Sequence, residues 1–134
     1  MKLQRIVTKP DPYEPFRLAQ GYRVGELLFI SGQAGYDDAG KIVAPGNFEA
    51  QARQAFANLE RALRAGGSSL RNVVKVTIFV TDMAHFPKIV DLRGTYFSPP
   101  YPADTIVEVS GLYSPDAMIE IEAVAVTDAA AERD

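Results

Sequence analysis

Between Asn47 and Gly66, Phe48, Ala52, Ala55, Phe56, Leu59, Ala62 and Leu63 return at intervals of three and four residues, separated by polar and charged side chains. That spacing places the apolar groups on one stripe of an α-helix and leaves the rest of its circumference polar. Such a helix must lie against a flat apolar partner. Asn47 suits the N-cap, because its side chain can accept from an early helical N–H. Gly66-Gly67 suits the stop, because glycine enters the left-handed conformation at little steric cost.

The flat partner is read in the flanking segments. "YRVGELLFISGQAG" divides into two short strands joined at Gly25-Glu26 and ending in a Gly-rich turn at Ser31-Gly32-Gln33. "YDDAGKIVAPGN" is a loop or hairpin with turn chemistry at Asp38-Ala39-Gly40 and Pro45-Gly46. In "VVKVTIFV" the positions Val74, Val76, Ile78 and Val80 form a dry face, whereas Lys75 and Thr77 dilute the other. Asp82 or a neighbour opens a second helix whose expected buried stripe is Phe86, Ile89, Val90, Tyr96 and Phe97, with Pro87 in the first turn and Ser98-Pro99-Pro100 as the stop. "TIVEV" and "MIEIEAVAV" are two further strands, "LQRIV" a possible N-terminal one, and the tail "TDAAAERD" a frayed or short helical end.

The order strand, strand, helix, strand, helix, strand, strand predicts one mixed sheet with two helices on one side, an α+β fold. Along "MIEIEAVAV", Ile119, Ile121, Ala123 and Ala125 suit contact with helices, and Glu120, Glu122, Val124 and Val126 share the opposite face. That second face, with Lys75, Thr77 and Phe79 nearby, is too apolar for water and too polar for a core. It is expected to meet other subunits.

At 134 residues the chain is expected to form one domain, residues 1–134. The apolar runs "LLFI" and "VAV" are far short of the ~20 residues of a membrane helix, and "MKLQRIVTKPDPYEP" lacks the apolar centre of a secretory signal. A cytoplasmic protein without a membrane partner is therefore expected. With no cysteine, disulfides, thiolate catalysis and cysteine metal sites are excluded. A net charge of −3, with 14 basic residues spread without a cluster, disfavours nucleic acid unless folding gathers Arg53, Arg61, Arg64 and Arg71. His85 is the one histidine, so no metal site is expected; no nucleophile-elbow or dinucleotide pattern appears either.

Four segments carry a resemblance: "ISGQ" at 30–33, "QARQAFANLERALRAGGSSLRNVVKVTIFVTDM" at 51–83, "YPADTIVEV" at 101–109 and "IEIEAVAV" at 119–126. In register from about Gly21 to Val126, they resemble the RidA (YjgF-type) family. The resemblance implies a chorismate-mutase-like fold and a homotrimer with its sheets lining a central barrel and small-molecule clefts between subunits. It also implies cofactor-free hydrolysis of enamine or imine intermediates such as 2-iminopropanoate, or, as the alternative, a trimer that binds a small ligand without catalysis.

Carried over by position, the proton-handling carboxyl falls on Glu120 and the hydroxyl on Ser31, with the Gly32 turn and Thr105 beside the ligand. The guanidinium that holds a substrate carboxylate falls on Asp104. Leu18 stands where a tyrosine is frequent, and Val90 where an asparagine is. This places the chain in a divergent subgroup lacking the substrate-binding arginine, and an anionic ligand is expected to be repelled unless another cation substitutes. Arg17 and Arg93 are the candidates, either as substitutes or merely as neutralisers of Asp104. Two structural alternatives stand beside the functional ones: Glu120 as a hydrogen-bonded barrel residue, and Ser31-Gly32-Gln33 as an ordinary turn. Tyr101-Pro102 is expected to shape its loop, with cis and trans both open.

Overall fold

A computed structural model describes residues 1–133. It contains β1 (Leu3–Ile6), β2 (Gly21–Val24), β3 (Leu27–Ala34), α1 (Phe48–Ala65), β4 (Val73–Val80), α2 (Phe86–Tyr96), β5 (Ala103–Glu108) and β6 (Ile119–Val126). The strands form one six-stranded sheet in the order β1-β2-β3-β6-β4-β5. Every pairing is antiparallel except β4 with β5, which α2 connects as a parallel crossover. This is the α+β arrangement of a mixed sheet with two helices expected from the sequence. The last turn of chain lies at 128–130, and residue 134 of the expected tail falls outside the described residues.

The stripe of α1 is buried as its spacing requires, with Phe56, Leu59 and Leu63 against the sheet. Fully burying such a side chain is worth about 1.5–3 kcal/mol, so this helix face anchors the core. Asn47 accepts from the Ala50 N–H at 3.0 Å, and Gly67 takes φ +87° beyond the helix end. Two polar residues on α1 are also buried and reach outward to loops. Gln51 donates to the Asp116 carbonyl and accepts from the Met118 N–H, both at 2.9 Å, while Asn58 donates to the Ala34 and Tyr36 carbonyls. The main helix thus fixes two loops that border a cavity described below.

Alternation along β6 follows the sequence, with Ile119, Ile121, Ala123 and Ala125 buried toward the helices. β4 departs from it. Its register shifts between Val73 and Lys75, so Val73 turns inward at 3% exposure and Val74 outward at 45%. A bulge adds one residue to a strand and flips the faces on one side of it, which simple alternation cannot register.

The second helix also differs from expectation. Ile89 and Leu92 face the core, while Phe86 and Val90 are exposed, Val90 to 47%. Phe86, Val90 and Arg93 recur at helical spacing as a second stripe beside Ile89, Leu92 and Tyr96, and the two merge when read in one dimension; Phe97, just past the helix, is buried in the core as expected. Tyr101-Pro102 is trans, the cis bonds among the described residues being Lys9-Pro10 and Pro99-Pro100.

Candidate functional site

Ser31-Gly32-Gln33 does not end its strand. β3 runs on to Ala34, with a register break between Ile30 and Gln33 and renewed pairing of Gln33 with Ile121 and Ala34 with Glu120. The irregularity brings Gly32 against the Glu120 side chain. A Cβ at position 32 would lie 2.7 Å from the Glu120 carboxyl carbon, so a hydrogen there is what admits the carboxyl group. Bulges commonly re-aim a side chain in this way.

Around this carboxyl group lies a cavity of about 190 Å³ lined by Tyr13, Phe16, Leu18, Tyr36, Tyr113 and Glu120, with Gly32 at its wall. Leu18 and Tyr113 come from loops, and Phe16 from a short 3-10 turn at Glu14–Phe16. Tyr13 and Tyr36 meet edge to face, as do Phe16 and Tyr113. A buried chain of hydrogen bonds holds the N-terminal loop: Tyr36 donates to Gln33, Gln33 to Gln20 at 3.0 Å, and Gln20 to Thr8 at 2.9 Å. The Tyr13 hydroxyl donates to the Gly32 carbonyl.

Burial raises the Glu120 pKa above the ordinary carboxylate value, and the nearby charge of Glu122 adds to the shift. The same cause pushes up Tyr13 and Tyr113, with like-charge repulsion contributing from Tyr36 on the former and from Glu120 on the latter. A half-buried carboxyl group within an apolar wall can take up and release a proton, because no described cationic partner pins it in the ionised state.

Asp104 sits elsewhere. Arg93 of α2 grips its carboxylate side-on, Nε to Oδ2 at 2.8 Å and Nη2 to Oδ1 at 2.9 Å. The pair borders a second cavity, about 380 Å³, with Val90, Gly94, Phe97, Tyr101 and Pro102. Of the two candidate cations Arg93 is therefore the one that meets Asp104. Arg17 is exposed at φ 62° after the 3-10 turn and lines neither cavity.

Two further residues have structural partners. Ser31 donates its hydroxyl to the Ala19 carbonyl at 2.6 Å, and Thr105 accepts from Lys75 at 2.6 Å. Thr105, alternating with Asp104 along β5, points to the face away from α2.

The structure thus brings together Glu120, Gly32 and Leu18 in one place, and Asp104, Arg93 and Val90 in another. The two groups lie on opposite faces of the sheet, since Asp104 reaches α2 whereas Glu120 alternates with the helix-facing Ile119 and Ile121. Asp104 is in register with Val76, and Glu120 with Phe79 across β4. That offset is three residues along and two strands across, about 10 Å in each direction at ~3.3 Å per residue and ~4.8 Å per strand.

Sequence reasoning missed Tyr13, Phe16, Tyr36 and Tyr113. The available signal was aromatic residues within turn-rich segments, where no core stripe claims them. Among the described residues no cluster of three acidic, histidine or cysteine ligands occurs, and His85 instead stacks on Phe48 at 4.0 Å. No described helix is long and apolar enough to cross a membrane.

Residues 8–127 match the family model described as Endoribonuclease L-PSP. A RutC family protein of Pyrococcus horikoshii is 39% identical over 116 residues, covering 87% of this chain and 90% of its own. The 2-iminobutanoate/2-iminopropanoate deaminase of Dermatophagoides farinae is 33% identical over 131 residues, covering 96% and 100%. The crystal structure of RidA from an Antarctic Psychrobacter superposes with a TM-score of 0.85 at 33% identity, over 92% of this chain and 98% of that one. On sequence and fold together, the chain belongs to the RidA/YjgF family, the family of the Endoribonuclease L-PSP description.

Proposed function

We propose that the protein is a homotrimer that hydrolyses small imine or enamine intermediates in clefts between subunits, without a cofactor, with Glu120 as the proton-handling group. The observation that carries this reading is the Glu120 carboxyl group set in an aromatic cavity, its approach admitted by Gly32 and its pKa raised by burial. The relatives named as imine deaminases support the substrate class.

In this reaction the Glu120 carboxylate accepts a proton from water as the water oxygen bonds to the imine carbon. The C=N π electrons move to nitrogen, which takes up a proton from a solvent water. When the carbinolamine collapses, the Glu120 carboxyl group returns its proton to the leaving nitrogen, the C–N bond breaks, and the hydroxyl gives its proton back to solvent water as the carbonyl forms. Water and imine give carbonyl compound and ammonia. An enamine first takes a proton at its β-carbon and enters as the imine.

The intersubunit cleft is supported by the division of the candidate residues between two faces of one sheet. A second copy is the simplest means of bringing a Glu120 cavity to an Arg93–Asp104 cavity. Nucleic acid is disfavoured as a substrate because Arg53, Arg61 and Arg64 face Glu49, Asp38 and Glu60 at 3.3, 3.1 and 3.5 Å. Pairing of this kind leaves little unbalanced charge for phosphates.

The test is decay of freshly generated 2-iminopropanoate with and without the purified protein. Wild type is expected to accelerate it, and Glu120→Gln to lower the rate by about 10²–10⁴, the range for losing a general acid–base. A second reading, a small-ligand-binding trimer without catalysis, is favoured by the carboxylate at position 104, engaged with Arg93. Wild-type protein that leaves the decay unchanged would establish it over the first.

A further inference from the structure

The cavity beside α2 contains a binding edge that the fold leaves unspent. A guanidinium carries five N–H donors in a planar fork, and the contact with Asp104 uses two, one on Nε and one on Nη2. One hydrogen of Nη1 and the second of Nη2 form another two-pronged edge, of the spacing that matches a carboxylate. Among the described residues the Arg93 side chain hydrogen-bonds to Asp104 alone. Its flank is set by the Phe86 ring, 5.7 Å from the guanidinium carbon to the ring centre.

The surroundings select what such an edge can hold. Val90, Phe97, Tyr101 and Pro102 wall the cavity beside Arg93 and Asp104, so a ligand entering it meets apolar surface next to one ion pair. Arg93 and Asp104 are 25% and 15% exposed in their side chains, so solvent screens the pair less than it would a surface pair. No Cβ crowds the opening at Gly94, where a methyl group would have no neighbour within 4 Å.

We infer that Arg93 reads a ligand carboxylate through its outer edge and that Asp104 is its positioning partner, so that the cavity takes a small monocarboxylate with an apolar body. Asp104 then has two opposed effects. It fixes the plane of the guanidinium, and its own charge attenuates the attraction Arg93 exerts on an anion. The arginine that the sequence lacks at position 104 is supplied from the neighbouring helix, at reduced strength. A multiply charged phosphate suits the cavity poorly, because the Asp104 carboxylate repels it more and the wall adds only the Tyr101 hydroxyl as a side-chain donor beside Arg93.

This deepens the cleft reading by stating what one end of the ligand carries, and it rests on that reading for the cleft but not for any turnover. The experiment is calorimetric titration of the intact protein with benzoate, which does not react. The expected order of affinity is Asp104→Asn above wild type, wild type above Arg93→Lys, and Arg93→Lys above Arg93→Leu.

Asparagine can still accept one of the two inner-edge hydrogen bonds through Oδ1 while removing the repelling charge, so Asp104→Asn should tighten binding several-fold, about 5–10-fold. Lysine keeps the charge without the fork and should weaken it about 10-fold. Binding seen only in Asp104→Asn also supports the inference. Weaker or unchanged binding in Asp104→Asn, unchanged binding in Arg93→Lys, or no binding in both wild type and Asp104→Asn overturns it. Loss of imine hydrolysis with this order intact would sink the catalytic reading alone, and hydrolysis with the order broken would sink this inference alone.

Discussion

Glu120 sets the strongest conflict between stability and chemistry at the scale of single residues. Burial, and then the charge of Glu122, raise its pKa in the folded chain above the ordinary carboxylate value. The folded state therefore holds the proton to higher pH than the unfolded chain does. Between those two values the native state binds more protons, and stability falls as pH rises through the window. Above it the cost of a partly buried charge is carried in full.

Glu120→Gln removes this cost, so its melting temperature at pH 7 is expected to exceed that of wild type even though hydrolysis is lost. The gap should close as the pH falls from the raised value to that of an ordinary carboxylate, about 4.3, and stay closed below it. Thermal melts across that range decide the point. A gap that stays constant at every pH would mean that Glu120 is not desolvated as described, and that the substitution acts through packing alone. Destabilised functional groups of this kind are a common cost of activity.

At the scale of elements, α2 carries two adjacent stripes with different duties. Leu92, at 1% exposure, packs into the core, while Val90 borders the cavity. Leu92→Ala should cost about 2–5 kcal/mol, the range for truncating a core leucine. Val90→Ala should cost less than about 1 kcal/mol, as at other exposed positions. Urea denaturation separates the two, and similar costs would show that the helix is rotated from the orientation described.

The same helix shows what was legible in the chain and what was not. The stripe on α1 was unambiguous, because its polar face is charged and its apolar face dense. On α2 an apolar residue also lines the cavity, so periodicity alone could not separate core from site. β4 and β3 failed at their irregularities. A bulge changes the phase of alternation without changing composition, so Val74 seemed inward and Ser31-Gly32 seemed a terminus. Glu120 was singled out by the family resemblance, because the alternation of its strand presents Glu122 just as plainly. The aromatic wall around it was not, since loops that are distant in sequence meet only through Gln51, Asn58 and the Gln20–Gln33 network. The bidentate approach of Arg93 to Asp104 required a register between helix and strand that no sequence spacing encodes.

At the scale of the whole molecule, the face of the sheet away from the helices is where the proposed assembly would form. Tyr22, Phe29, Val124 and Lys75 lie side by side across β2, β3, β6 and β4. Tyr22 and Phe29 are exposed, Phe29 to 47%, and Leu27 and Val74 expose more apolar surface on the same four strands. A contiguous apolar row of this kind is costly to leave in water and is the usual mark of an interface. In the proposed trimer, the Glu120 cavity of one copy would meet the Arg93–Asp104 cavity of another. Assembly and hydrolysis should therefore fail together.

Phe29→Glu places a charge in the middle of the row without touching either cavity. Sedimentation is expected to give three copies for wild type and a smaller species for the variant. The variant should retain its fold by circular dichroism and lose most of its acceleration of 2-iminopropanoate decay, although Glu120, Arg93 and Asp104 are all present in it. A dissociated Phe29→Glu with full activity would place the entire site within one subunit and remove the need for any cleft between chains.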